Sequence, residues 1–119
     1  MAIGGIESEL LVNLMSASSK RASVIANNIA NQNTPGFKRQ SLEFEELLTQ
    51  AVARGNRDLT SVQPELLVDV ETPGGDDGNN VNMEEEMNSL RQNRLLYDTY
   101  ASILSSRFEV LRASIQDGR

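Results

Sequence analysis

Along the last third of the chain, Met83, Met87, Leu90, Arg94, Tyr97, Ala101, Leu104, Phe108, Leu111 and Ile115 recur at alternating steps of four and three. That spacing predicts one long helix, from about residue 83 to 116, whose heptad packing seam has Arg94 as its single charged member. Asn82 is a suitable N-cap, Glu85 stands three residues on as in a capping box, and Glu84, Glu85 and Glu86 favour the positive end of the helix dipole. Gly118 supplies the stop. At 1.5 Å per residue such a helix is about 50 Å long, whereas a compact globule of this chain length has a radius of gyration of roughly 13–14 Å. A rod or a hairpin is therefore expected.

Leu11, Met15, Ser18, Ala22, Ile25 and Ile29 repeat the same steps, with Leu14 and Val24 beside them, and predict a second helix from about 7 to 31. Small Ser18 and Ala22 would let a neighbouring backbone approach closely. Together the stripes predict a mainly α fold in which two long terminal helices pack as an antiparallel, coiled-coil-like hairpin. After Asn31 the pattern stops, and Thr34-Pro35-Gly36-Phe37 places Pro and Gly where a type II turn requires them. Leu42, Phe44, Leu47, Leu48, Ala51 and Val52 then allow a short helical or mixed segment up to Gly55. Leu66, Val68 and Val70 alternate like one strand with no visible partner, and Thr72 to Asn80 reads as a flexible loop. The expected organisation is residues 1–34 as helix and turn, 35–80 as an irregular middle with a little β, and 81–119 as the heptad helix.

The chain's 119 residues include 11 Lys plus Arg, 17 Asp plus Glu and no Cys, His or Trp, for a net charge of −6. Disulfides, Cys nucleophiles, His bases and Cys/His zinc sites are thereby excluded. An isoelectric point near 4.6, with cations scattered among carboxylates, argues against nucleic acid as a partner. No apolar run approaches the roughly 20 residues of a membrane span. The first cation is Lys20, so a cleaved secretory signal is not expected either. With 39% hydrophobic and 4% aromatic residues, one small domain with a modest core is the upper bound.

Few constellations suggest chemistry. Asp76-Asp77-Gly78-Asn79-Asn80 with Glu84 to Glu86 offers oxygen ligands, but starting an EF-hand loop at Asp76 or Asp77 puts Val81 or Asn82 where its sixth-position Gly belongs. A solvated turn feeding a helix cap is the better reading. The glutamates at 43, 45 and 46, and those at 84 to 86, come with no nucleophile and no apolar pocket. Neither a cofactor nor a metal is predicted, and enzyme activity has no positive support. Arg94 either selects register or partner, or lies on an exposed stretch of the seam.

The stretch from Ala26 to Lys38, ANNIANQNTPGFK, resembles the N-terminal signature of the rod and hook axial proteins of bacterial flagella. The tail, with DGNNVNMEEEM, then Leu95-Leu96-Tyr97 and SSRFEVLRASI, resembles the basal-body rod proteins of the FlgB type within that family. The likeness covers roughly the first 48 residues and the last 40. It implies a structural subunit of the proximal rod, polymerising through its terminal helices to transmit torque from motor to hook, in the periplasm, after export without a cleaved signal. Implied partners are further copies of itself, other rod proteins of the FlgC, FlgF and FlgG types, the FliE-type base adaptor and the flagellar type III export apparatus. Asn27, Asn28, Ile29, Ala30, Asn31, Thr34, Pro35, Gly36, Phe37 and Lys38 would form the signature turn and its subunit contacts. Phe44 and Leu48 resemble a Phe-x-x-x-apolar export element. The competing readings are a FlgC-type rod subunit and a free-standing helical adaptor or chaperone that dimerises through its C-terminal coil.

Overall fold

The computed structural model describes residues 2–117, so the stop expected at Gly118 lies outside the described residues. Helix α1 (Ala2–Ala30) and helix α3 (Met83–Asp117) form the expected hairpin. Its extents are 69 × 29 × 14 Å and its radius of gyration is 18.3 Å, well above the compact value. Between the long helices come strand β1 (Gln40–Glu43), helix α2 (Glu45–Ala53), a single 3₁₀ turn (Leu59–Ser61) and strand β2 (Glu65–Val68). At the start of α3, Asn82 Oδ1 accepts the Glu85 N–H at 3.2 Å, as its capping role requires.

The strand read around Leu66 does have a partner. β1 and β2 pair antiparallel, Ser41 opposite Leu67 and Glu43 opposite Glu65. The partner is hard to see in sequence because Gln40, Ser41 and Glu43 are polar and show no alternation. Their placement depends on side chains of α1, described below, rather than on a buried face of their own.

Burial is sparse. Ala17, Ile25, Phe44 and Ala51 are the buried apolar residues among those described, and they are joined by buried Ser18, Asn28, Asn79, Asn80, Glu86 and Asn93. α1 packs against α3 on one side and against β1 and the 3₁₀ turn on another. Its covered face is accordingly wider than a heptad stripe and takes in Ala17, Arg21 and Asn28 besides Ser18 and Ile25. No helix among the described residues is long and apolar enough to cross a membrane.

Candidate functional site

The side of α3 turned towards the molecule carries Glu86, Asn93, Tyr100 and Arg107, each seven residues from the next, with Leu90, Ala101 and Leu104 half-buried beside them. Three of the four meet α1 residues that run the opposite way at the same repeat. Glu86 Oε1 accepts from Asn28 Nδ2 at 2.8 Å, Asn93 Oδ1 accepts from Arg21 at 2.9 Å, and Arg107 pairs with Glu7. Tyr100 reaches past α1 and donates to Glu45 Oε2 at 2.7 Å, while Arg21 also grips Glu45. Asn93 Nδ2 adds a bond to the Ser18 carbonyl at 2.7 Å. The hairpin is thus closed by a polar ladder. Such contacts add little net stability over apolar packing. A shift of register would instead leave charges and amides unpaired, so the ladder defines how the helices align.

The apolar seam read from sequence is rotated relative to this inward face. Leu90, Ala101 and Leu104 are partly covered, whereas Met83, Met87, Tyr97, Phe108, Leu111 and Ile115 remain exposed. Arg94 lies on the exposed stretch: its side chain is 84% accessible and reaches only Asp98, one helical turn on, at 4.0 Å. With Leu95, Leu96, Ile103 and Val110 also exposed, α3 exposes ten large apolar side chains, against four buried apolar residues among those described.

The signature turn is built from amides. Asn28, fully buried, donates to the Gln40 carbonyl at 2.8 Å and accepts the Gln40 N–H at 2.9 Å, so its side chain acts as a short strand against β1. Arg21 Nε donates to the Leu42 carbonyl at 3.0 Å on the same edge. Asn31 folds back on the Asn27 carbonyl at 2.8 Å and accepts from the Thr34 hydroxyl at 3.0 Å. Phe37 N–H then closes on Thr34 O at 3.2 Å, with Gly36 at φ +74°, the left-handed conformation that the third position of a type II turn demands. Ile29 is half-buried, whereas Asn27, Ala30, Thr34, Pro35 and Gly36 stay exposed.

The segment read as a flexible loop is fastened to this turn. Asn79 Nδ2 donates to both Asn31 O and Thr34 O at 2.8 Å, Gly36 N–H donates to Asp77 O at 2.8 Å, and Lys38 Nζ donates to Gly78 O at 2.6 Å. Asn80 takes the Arg39 N–H at 2.7 Å and donates to Asp69 O at 2.8 Å. A Cβ on Gly74 would lie 2.8 Å from Gly78 Cα and closer still to its carbonyl, so the loop closes on itself without room for a side chain. Composition marks Gly, Asp and Asn as solvated. It cannot show that Asn amides supply the pairing a strand would otherwise give. The fastening roles of Glu86, Asn79 and Asn80, and any role for Arg39 and Asn93, are not legible in the sequence; the one hint is so many Asn residues within or flanking the long helices.

Two carboxyls are held below the ordinary range. Burial would raise Glu45, but the hydrogen bonds from Tyr100 and Arg21 outweigh it and the net shift is downward. Asp69 falls to about 2, chiefly through the Thr72 hydroxyl and N–H, with Glu71 N–H and Arg39 assisting. Tyr100 moves up, through burial and then through its donation to Glu45. Because Glu45 and Asp69 titrate lower in the folded chain than in the unfolded one, at about 4.3 and 3.9, the unfolded chain takes up protons first and acid favours unfolding. Their contribution should therefore be complete at neutral pH and be lost from about pH 4 towards pH 2. Urea midpoints measured across that window should fall with pH, and Glu45→Gln should flatten the upper part of the fall.

A hairpin aligned by polar contacts, with a locked turn at one end and an uncovered apolar face along its length, is the anatomy of an assembly subunit. The comparisons agree. A family profile described as "Flagella basal body rod protein" matches residues 11–38, from the last two thirds of α1 through the turn. The chain is 34% identical over 117 residues to the flagellar basal body rod protein FlgB of Borrelia hermsii, covering 82% of this chain and 87% of that protein. It is 29% identical over 119 residues to FlgB of Bacillus subtilis strain 168, covering 92% of each. A shorter match, 43% identical over 61 residues, covers 51% of this chain and 23% of the flagellar basal-body rod protein FlgG of Caulobacter vibrioides. The chain belongs to the FlgB family of flagellar basal body rod proteins.

Proposed function

We propose that the chain is a structural subunit of the proximal rod, polymerising through the exposed apolar stripe of α3 and transmitting torque by packing alone. The observation that supports this is the division of α3: Glu86, Asn93, Tyr100 and Arg107 are spent on register, while Phe108, Leu111 and Ile115 stay 54%, 41% and 71% exposed. Burying them between neighbouring subunits is worth roughly 1.5–3 kcal/mol per large side chain. A contact of this head-to-tail kind, repeated by rotation and rise, grows a tube and not a closed ring. The neighbours are further copies and other rod proteins of the FlgC, FlgF and FlgG types, seated on a FliE-type adaptor. Residues 27–38 and the loop they hold would set the angle at which each subunit meets the next.

Delivery to the periplasm would use the flagellar type III export apparatus. Phe44 is buried and Leu48 half-buried in the folded subunit, so an export element there would be legible only in the unfolded chain.

The test is a double substitution, Phe108→Asp with Leu111→Asp, in cells depending on this chain for motility. The purified variant should keep its far-ultraviolet circular dichroism, since both positions are exposed, while basal bodies should lack it and swimming should cease. Normal swimming would rule out the α3 face as the assembly surface.

A further inference from the structure

β2 has an unused side. Gln40 faces Val68 and Leu42 faces Leu66 across the sheet, yet Gln40 spends its main-chain groups on Asn28, and the Leu42 carbonyl accepts from Arg21. These are therefore the pairs without ladder bonds. The ladder runs instead through Ser41 with Leu67 and through Arg39, whose carbonyl accepts the Asp69 N–H at 2.9 Å. Leu66 and Val68 consequently aim their N–H and C=O groups away from β1. Side chains of α1 close the outer edge of β1, but no hydrogen bond covers that of β2 among the described residues.

The side chains on this edge are equally uncommitted. Leu66 and Val68 are each 52% exposed and share one face by the strand's period of two, and Val70, two residues past the strand, is 74% exposed. The opposite face of β2 carries Glu65 and half-buried Leu67, with Asp69 and Glu71 following the strand, and neither Glu65 nor Glu71 makes an ion pair among the described residues. From Asp58 to Leu90 the chain has no Lys or Arg at all. An open strand edge with exposed aliphatic side chains is a template for strand addition.

We infer that the free edge of β2 binds an extended segment of a different protein, one in which aliphatic residues alternate with Lys or Arg, as a third strand. Charge selects this occupant over a second copy. Antiparallel pairing of β2 with itself about Leu67 sets Glu65 opposite Asp69 of the copy at both ends, and like charges directly opposite are destabilising. The inference rests on the proposed function in one respect only, that the partner strand is met in the assembled basal body.

The test places a photo-crosslinking phenylalanine derivative at Val70, irradiates isolated basal bodies and sequences the crosslinked peptide by mass spectrometry. A basic, alternating segment of another protein is expected. A crosslink to a second copy of this chain, or none from basal bodies that contain the chain, overturns the inference and leaves the proposed function standing. Absence of the chain from basal bodies overturns both. Val68→Pro removes an outward N–H without touching the ladder, and should lower the crosslink yield about tenfold. Glu65→Lys with Glu71→Lys, at exposed unpaired positions, should lower it as well by reversing the charge, and an unchanged yield in that double variant also overturns the inference.

Discussion

Glu86→Ala is expected to destabilise the subunit by about 3–5 kcal/mol, the cost of removing the buried partner of a hydrogen-bonded ion pair. Glu86 is fully buried, with Oε2 2.7 Å from Arg39 Nε and Oε1 2.8 Å from Asn28 Nδ2. Burial alone would lower the Arg39 pKa, but Glu86 and then Asp69 raise it on balance, so the guanidinium depends on these carboxylates. Against a typical stability of about 5–15 kcal/mol, and with four buried apolar side chains among the described residues to fall back on, a large share of the hairpin's margin would go. The measurement is the urea midpoint of helical circular dichroism with the slope unchanged. A loss below about 1 kcal/mol would reduce the cluster to the worth of a surface ion pair.

Glu86 also shows where sequence reading stops. Glu84, Glu85 and Glu86 are chemically the same run, and periodicity with capping correctly read all three as the first turn of a helix. Which one turns inward depends on the helix's rotation, and the apolar pattern pointed one position away. That pattern was a reliable guide to helix existence, because any packed helix needs an apolar face. It was a poor guide to which partner the face meets, because the seam of an assembling subunit answers to its neighbours as well as to its own chain. The two long helices and the Gly36 turn were legible for local reasons. β1 and the fastened loop were not, since Asn28, Asn79 and Asn80 hold them through contacts spanning 11 to 48 residues, which no local pattern records.

The division of labour within α3 has a physical logic. If the inward face were apolar and the outward face polar, a free subunit would be stable and indifferent to assembly. If both faces were apolar, the helix could pair in several registers and with several partners. A polar ladder facing α1 and an apolar stripe beside it that is only partly covered let the subunit keep one hairpin alignment, while the larger hydrophobic gain waits for contact with others. Exposed apolar surface on this scale is characteristic of interaction sites. The same arrangement fits the small core, since Ala17, Ile25, Phe44 and Ala51 are the buried apolar residues among those described.

Asn28→Asp separates the amide's geometry from its chemistry and should be the most informative single change in the signature. The side chain keeps its size and still accepts the Gln40 N–H. The atom that now donates to Gln40 O and to Glu86 Oε1, both at 2.8 Å, becomes a carboxylate oxygen facing two acceptors. Arg39 is the nearby cation and already serves Glu86 and Asp69, so the added charge has no free partner. A loss of about 3–5 kcal/mol at neutral pH is expected, against about 1–3 kcal/mol for Asn28→Ala, which removes hydrogen bonds without adding repulsion. Acid distinguishes the two further. A single proton shared between the carboxyls would turn repulsion into a hydrogen bond. The Asn28→Asp variant should therefore recover part of its deficit relative to the parent between pH 7 and about pH 4.5, whereas the Asn28→Ala variant should not. Equal deficits at both pH values would mean that the end of α1 and the start of α3 are not joined through this pair.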